Sequence, residues 1–182
     1  GDTGQFVHLG GDNGLDLGAY DQVTLSAWIK PTVTENQTII SHGNHACCGT
    51  EYSLGLEVDG DIAFTIRNSG GSLRDSGYNY PLNEWTHVTG TWDGATSTIY
   101  INGVKNNDRA YGAGFGSYGD YTAIGDILDA NGNRVSFGFT GNIDDVRIYN
   151  RGLSAEEVSR LYDLGATTHI NKTITTNPDL ED

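Results

Sequence analysis

The sequence predicts an all-β fold, an antiparallel two-sheet sandwich with one short C-terminal helix. Three observations carry this. Twenty-six glycines against three prolines, with frequent Thr, Tyr and Val, mark many short strands joined by tight turns. Apolar and polar residues alternate with period two in stretches such as VTLSAWIK, residues 23–30. Asp-Gly and Asn-Gly pairs, strong short-range hairpin signals, stand at Asp59-Gly60, Asp93-Gly94 and Asn102-Gly103. No repeat of fixed period appears, which argues against a propeller or solenoid.

Residues 5–9 read as a first short strand between glycine-rich loops. In 23–30, Val23, Leu25, Ala27 and Ile29 share one side, with Thr24, Ser26 and Trp28 on the other. Both sides carry bulk, so the strand is central or its outward Trp28 is covered by a loop; Pro31 stops it. A shorter strand at 38–41 leads into HGNHACCGT. EYSLGLEV and DIAFTIR then flank Asp59-Gly60, where a two-residue type I′ turn is expected. A second hairpin, 85–92 with 97–102, turns at Asp93-Gly94, and Asn102-Gly103 supplies a further turn. Residues 104–119 show little periodicity and read as a long loop. The last strands are 121–126 and 137–149.

The chain then enters a small helix. Ser154 is a good N-cap with Glu157 three residues on, as a capping box requires, and Leu153 and Val158 occupy the hydrophobic-staple positions. Val158, Leu161 and Tyr162 recur at helical spacing, and Gly165 is the expected stop. Residues 1–165 therefore form one expected domain, with 166–182 a polar linker or tail to a larger multidomain chain.

A chain of 182 residues with this apolar content buries one core. A formal net charge of -14 argues against nucleic acid as a partner. No apolar run reaches the ~20 residues of a membrane span, and no signal peptide opens the chain at Gly1, so an excised module without membrane insertion is expected.

Candidate chemistry is concentrated in the loops. Strand alternation places Asp144 on the apolar row with Val146 and Ile148, where a carboxylate calls for a hydrogen-bond donor, a counter-charge or a cation. Glu57, Asp59 and Asp61 mimic the spacing of a glycosidase carboxyl pair, yet the hairpin turn explains them better. None of the five histidines has a triad context; His87 reads as structural, and no catalytic residue is assigned. Cys47 and Cys48 are open to three readings: a vicinal disulfide ring that could lie under a sugar, free thiols, or zinc held with His42 and His45.

Sugar binding needs flat aromatic faces and planar polar groups. Tyr78, Tyr80, Tyr111 and Tyr118, with Arg74, Asn79, Arg109 and Asp120 near them in sequence, supply both. Half such aromatics would simply close the ends of the sandwich. A second cation position is conceivable at Asp126, Asp129, Asn131 and Asn133, without the glycine of an EF-hand.

The motifs TLSAWIKP, EWTHVTGTWDGATSTIYINGV and FTGNIDDVRIYNRGLSAEEVSRLY occur in an order that resembles the laminin G-like, concanavalin A-like jelly-roll family, in particular its bacterial secreted members. The resemblance covers residues 2–165. It implies two curved antiparallel sheets in a jelly roll. It also implies a structural Ca2+ of the kind laminarinase-like members hold through an aspartate opening the last long strand, the position of Asp144, with Asp2 and Gly141 as neighbours. The family includes lectins, adhesion domains and polysaccharide-degrading enzymes, so fold alone leaves function open. The expected function is a non-catalytic, calcium-stabilised, lectin-like module binding a glycan or polysaccharide in an extracellular setting, secreted or at the cell surface. The alternatives are an adhesion module for a protein receptor and a polysaccharide-degrading domain.

Overall fold

The computed structural model describes residues 6–10, 15, 22–44, 49–66, 71–74, 77–110, 121–129, 131–135 and 137–170. In chain order the elements are β1 (Val7–His8), β2 (Val23–Pro31), β3 (Gln37–Asn44), β4 (Gly49–Leu56), β5 (Ile62–Ile66), β6 (Gly71–Arg74), β7 (Thr86–Trp92), β8 (Thr96–Ile101), β9 (Val104–Ala110), β10 (Thr122–Ile124), β11 (Gly141–Tyr149) and α1 (Ala155–His169). They form a six-stranded sheet, β1-β10-β3-β4-β5-β6, and a five-stranded sheet, β11-β2-β7-β8-β9. All named strand pairs are antiparallel. This is the jelly-roll sandwich the sequence predicts.

The core lies between the sheets. The row Val23, Leu25, Ala27 and Ile29 of β2 faces it, as alternation requires, and meets Leu54, Phe64 and their neighbours from the other layer. The layers interlock where Phe64 occupies the space a side chain would need on Gly90 of β7. No helix among the described residues is long and apolar enough to cross a membrane.

Tight turns follow local chemistry, with one exchange. Asn102 and Gly103 both take positive φ (50° and 78°), as a two-residue type I′ turn demands. At Asp59-Gly60 only Gly60 does (φ 94°). The loop there has three residues, closed by bonds from Gly60 N to Glu57 O and from Glu57 N to Asp61 O. The type I′ expectation at that hairpin is thus corrected: only one residue there is left-handed.

Two strands escaped the sequence pattern. Residues 104–110, expected in a long loop, form β9, an edge strand paired with β8. Its central residues, Lys105 to Arg109, are all polar, so no alternation marks it. β6 likewise arises from pairing with β5. Residues 137–140, expected to open the last strand, instead run past β3, with Thr38 N donating to Phe137 O.

The helix begins as predicted. Ser154 Oγ accepts from Glu157 N, the Glu157 carboxylate accepts from Ser154 N, and Leu153 and Val158 pack together with Tyr100. It does not stop at Gly165. It continues to His169 with Ala166 fully buried; 171–182 lie outside the described residues. Gly165 is there for close approach, since a Cβ would stand 1.9 Å from Trp28 Nε1. Trp28, on the outer side of β2, is thereby covered by a helix and not by a loop. Tyr162 stacks on it at 5.5 Å and His169 lies at 4.6 Å. Gly165→Ala gains ~1 kcal/mol of helix propensity but overpacks an indole with no room to move, at ~3 kcal/mol. We expect a net loss of about 2 kcal/mol, read as a fall in Tm of roughly 4–8 °C by thermal denaturation.

Candidate functional site

With α1 against the five-stranded sheet, the outer face of the six-stranded sheet is covered, among the described residues, only in part, by the segment from Asp126 to Phe139. Its floor is built of small residues. Ser53 and Gly55 of β4 stand directly opposite Thr65 and Ala63 of β5, so all four share the outer side while Tyr52, Leu54 and Phe64 fill the core. Gly55 has no substitute, because a Cβ would lie 2.7 Å from the Gln37 carbonyl oxygen. Ile127 and Phe137 rise beside this floor, and with Asn36, Gln37 and Glu57 they enclose a cleft of about 200 Å³. A second cleft of about 480 Å³, lined by Glu35, Asn36, Phe137, Gly138 and Thr140, adjoins it.

The amides at the rim are held in place. Asn36 Oδ1 accepts from Val58 N at 2.7 Å; Gln37 Nε2 donates to Val33 O, and its Oε1 accepts from Thr140 N at 2.6 Å. The loop carrying Ile127 and Phe137 is clamped from beneath. Ser41 Oγ donates to Asp126 O, and the buried Asp126 carboxylate binds Ile127 N and the Arg134 guanidinium. Asp129 accepts from Asn131 N and Asn133 N, which hold its carboxyl below the usual range. The carboxylates considered for a second cation are thus engaged by donors. Phe137 is 40% exposed at φ 69°, a conformation that a bulky residue adopts only at a cost.

A larger cleft of about 610 Å³ opens between β1, β10 and β11. Asn142 is the one polar side chain among its described lining residues, so it offers little to hydroxyl groups.

Tyr78, Tyr80, Asn79 and Arg109, predicted as ligand residues, are not among the described lining residues of these clefts. Tyr80 is 5% exposed in the core cluster, its hydroxyl donating to Glu57 O, and Tyr78 packs against the same core. Both act as end-closing aromatics. Asn79 is a turn residue at φ 55° whose side chain fills the space beside Gly60. Arg74 sits on β6 opposite Ala63, and exposed Arg109 on β9 opposite Ser97. Arg109 is not among the described lining residues of the clefts. Tyr111, Tyr118, Asp120, Cys47, Cys48 and Asp2 lie outside the described residues. His42, a member of the zinc alternative, meets Thr122 Oγ1 at 2.8 Å and lies 3.5 Å from Glu51, stacked on Tyr52.

Asp144 is not on the apolar row. A β-bulge between Asp144 and Arg147, with Asp145 at φ 48°, breaks the alternation, so that Ile143, Val146 and Ile148 pack on the core. The Asp144 side chain is 64% exposed, accepts from Asp145 N, and lies 3.8 Å from His169 Nε2. A calcium cradle needs several converging oxygens, and the described residues around this carboxylate do not fit one. Gly141 does meet the first strand, in the larger cleft beside Phe6 and Val7.

One pair has the spacing of a nucleophile and its base: Ser26 Oγ lies 2.9 Å from His87 Nε2. They are 1% and 2% exposed, closed to any substrate. The carboxylates of the hairpin question are also settled locally, since 57–61 is a turn and, of the three, Glu57 alone is among the described lining residues of the cleft.

This chain belongs to the concanavalin A-like lectin/glucanases superfamily, whose model matches residues 2–159. No curated protein matches it in sequence. Among solved structures it is similar to the CBM40 of the Ruminococcus gnavus IT-sialidase, bound to α2,3 sialyllactose (19% identity, TM-score 0.72, covering 87% of this chain and 92% of that one). It is also similar to the heptameric SAP-like pentraxin of Limulus polyphemus (20%, 0.65, 79% and 70%). For the botulinum neurotoxin serotype G binding domain the values are 21%, 0.61, 82% and 37%, so the chain spans little more than a third of that structure. At these identities the likeness is one of fold.

Burial lowers the His87 pKa from 6.5 to about 4. Between these values the unfolded chain takes up a proton that the folded ring refuses, so stability falls as pH drops through this window. The full loss is about 3 kcal/mol by pH 4. The Glu157 carboxyl, held down to about 2 by Arg151 and Ser154 N, acts in a lower window, from 4.5 toward 2. Denaturant unfolding from pH 7 to 4 should show the His87 slope, and His87→Gln should lack it.

Proposed function

We propose that this protein is a non-catalytic, lectin-like module of a secreted or cell-surface protein, and that it binds a glycan in the cleft on the outer face of the six-stranded sheet. The observation that carries this is the pairing of a small, hydroxyl-bearing floor with an exposed aromatic ring. A pyranose presents an apolar C–H side and a rim of hydroxyls; Phe137 suits the first, and Ser53, Thr65 and the rim amides suit the second. The ring is kept where its backbone is strained, which is common at ligand-contacting positions. The sialyllactose bound to the similar CBM40 adds support, as does a Ser–His pair shut away from solvent.

Thr65→Trp fills the floor with a residue that suits a strand surface. On a glycan array the wild type should capture a defined set of oligosaccharides, and Thr65→Trp should weaken them by about tenfold or more, ~1.4 kcal/mol. An unchanged array profile would remove the cleft from the reading, and a blank array with capture of a polypeptide would turn it toward adhesion.

Calcium enters the proposal only as an ion that steadies the frame, supported by the acidity of the chain and not by Asp144. Melting in calcium against chelator reads it. Asp144→Ala, a surface change, should shift stability by less than ~0.5 kcal/mol and leave any calcium effect intact.

A further inference from the structure

We infer that α1 is an acid-released cover: a proton taken up at His87 swings the last two turns of the helix off the five-stranded sheet, while the first turn stays anchored and the sandwich stays folded. The helix is held in two different ways along its length. The corner before it is hydrogen-bonded to the start of β2, with Thr24 Oγ1 donating to Arg151 O and accepting from Leu153 N, and Gln22 Oε1 accepting from Gly152 N. Arg151 and Glu157 brace the first turn, and Leu153 and Val158 are buried with Tyr100 in a cluster separate from the core between the sheets. The last two turns rest on rings. Tyr162 and His169 lie on Trp28, His169 also meets Trp85 at 4.5 Å, and Tyr162 stands 6.1 Å from His87.

His87 lies beneath this second half. Its ring is 2% exposed; Ser26 Oγ, 2.9 Å from Nε2, also accepts from Thr89 Oγ1, and Nδ1 has no hydrogen-bond partner among the described residues. A neutral imidazole can leave Nδ1 bare, but an imidazolium carries a donor on each nitrogen and needs an acceptor for both. The closed site therefore refuses the proton, and burial takes the pKa from 6.5 to about 4. The charged groups that face the ring do not relieve this. Asp145 and Arg147 of β11 are paired at 2.9 Å and act on it in opposite directions, and His169 of α1 repels an imidazolium. Asp144 lies 3.8 Å from His169 Nε2, but at 64% exposure solvent screens that pair.

Lifting the last two turns gives both ring nitrogens water as a partner. The released state then takes up a proton near 6.5 and the closed state only near 4, so the ratio of released to closed rises about twentyfold from pH 7 to 5 and about a hundredfold by pH 4. The Glu157 anchor, held down to about 2, keeps its charge throughout this window.

Amide hydrogen exchange followed by NMR on the whole chain, expressed as protection factors that remove the intrinsic pH dependence, reads the release directly. The amides of residues 162–169 should lose about twentyfold in protection from pH 7 to 5. Those of Val158, β4 and β5 should stay about tenfold or more better protected than 162–169 at every pH, since they exchange only through larger openings. In His87→Gln the protection of 162–169 should be constant from pH 7 to 4. Exchange of 162–169 at the same level as β4 and β5 at every pH, or independent of pH, would overturn the inference on the wild type alone, whether or not the variant folds. A loss in 162–169 that persists in folded His87→Gln would overturn it by assigning the proton to another group.

Discussion

The seating of Trp28 under α1 decides what the rest of the surface is free to do. An indole on the outer side of a central strand must be buried or wasted, and here it is sealed by Tyr162, His169 and the bare backbone of Gly165. The helix can lie so close because position 165 lacks a Cβ. The same cover buries Ser26 and His87, whose geometry alone would invite a catalytic interpretation. One sheet is thereby spent on holding the helix, and the other carries on its outer face, among the described residues, the segment from Asp126 to Phe139.

That face is shaped by omission. β4 and β5 turn large residues inward and Ser53, Gly55, Ala63 and Thr65 outward, leaving a shallow floor. The wall comes from a loop that is fixed to this face, not draped over it. Asp126 holds Arg134 and Ile127 N, Ser41 holds Asp126 O, and Thr38 N holds Phe137 O. Such anchoring can pay for a phenylalanine in left-handed backbone. A preformed aromatic wall loses little entropy when a ligand arrives.

Ion pairs brace the frame. Arg151 and Glu157 brace the corner before α1 as a bidentate pair, and Asp126 with Arg134 braces the loop. Asp144, which a strict two-residue period would put against the core, is instead turned outward by a single bulged residue.

Much of the frame was legible because its signals are local. The Ser154–Glu157 box, the Leu153–Val158 staple, the alternation of β2 and the left-handed pair Asn102-Gly103 each depend on residues within a turn or a strand. The cleft was not legible. Small outward residues look the same whether they face water or a ligand, and Tyr78 and Tyr80 look like ligand residues until the core claims them. β9, the bulge at Asp144, the reach of α1 past Gly165 and the approach of Phe137 to β3 all depend on partners far away in the chain. The amino-acid order alone determined a capped helix and a set of alternating strands that must bury one side. Only tertiary packing decided which outer face the helix covers, because that choice lies in contacts between residues such as Trp28 and Gly165, which no short-range pattern connects.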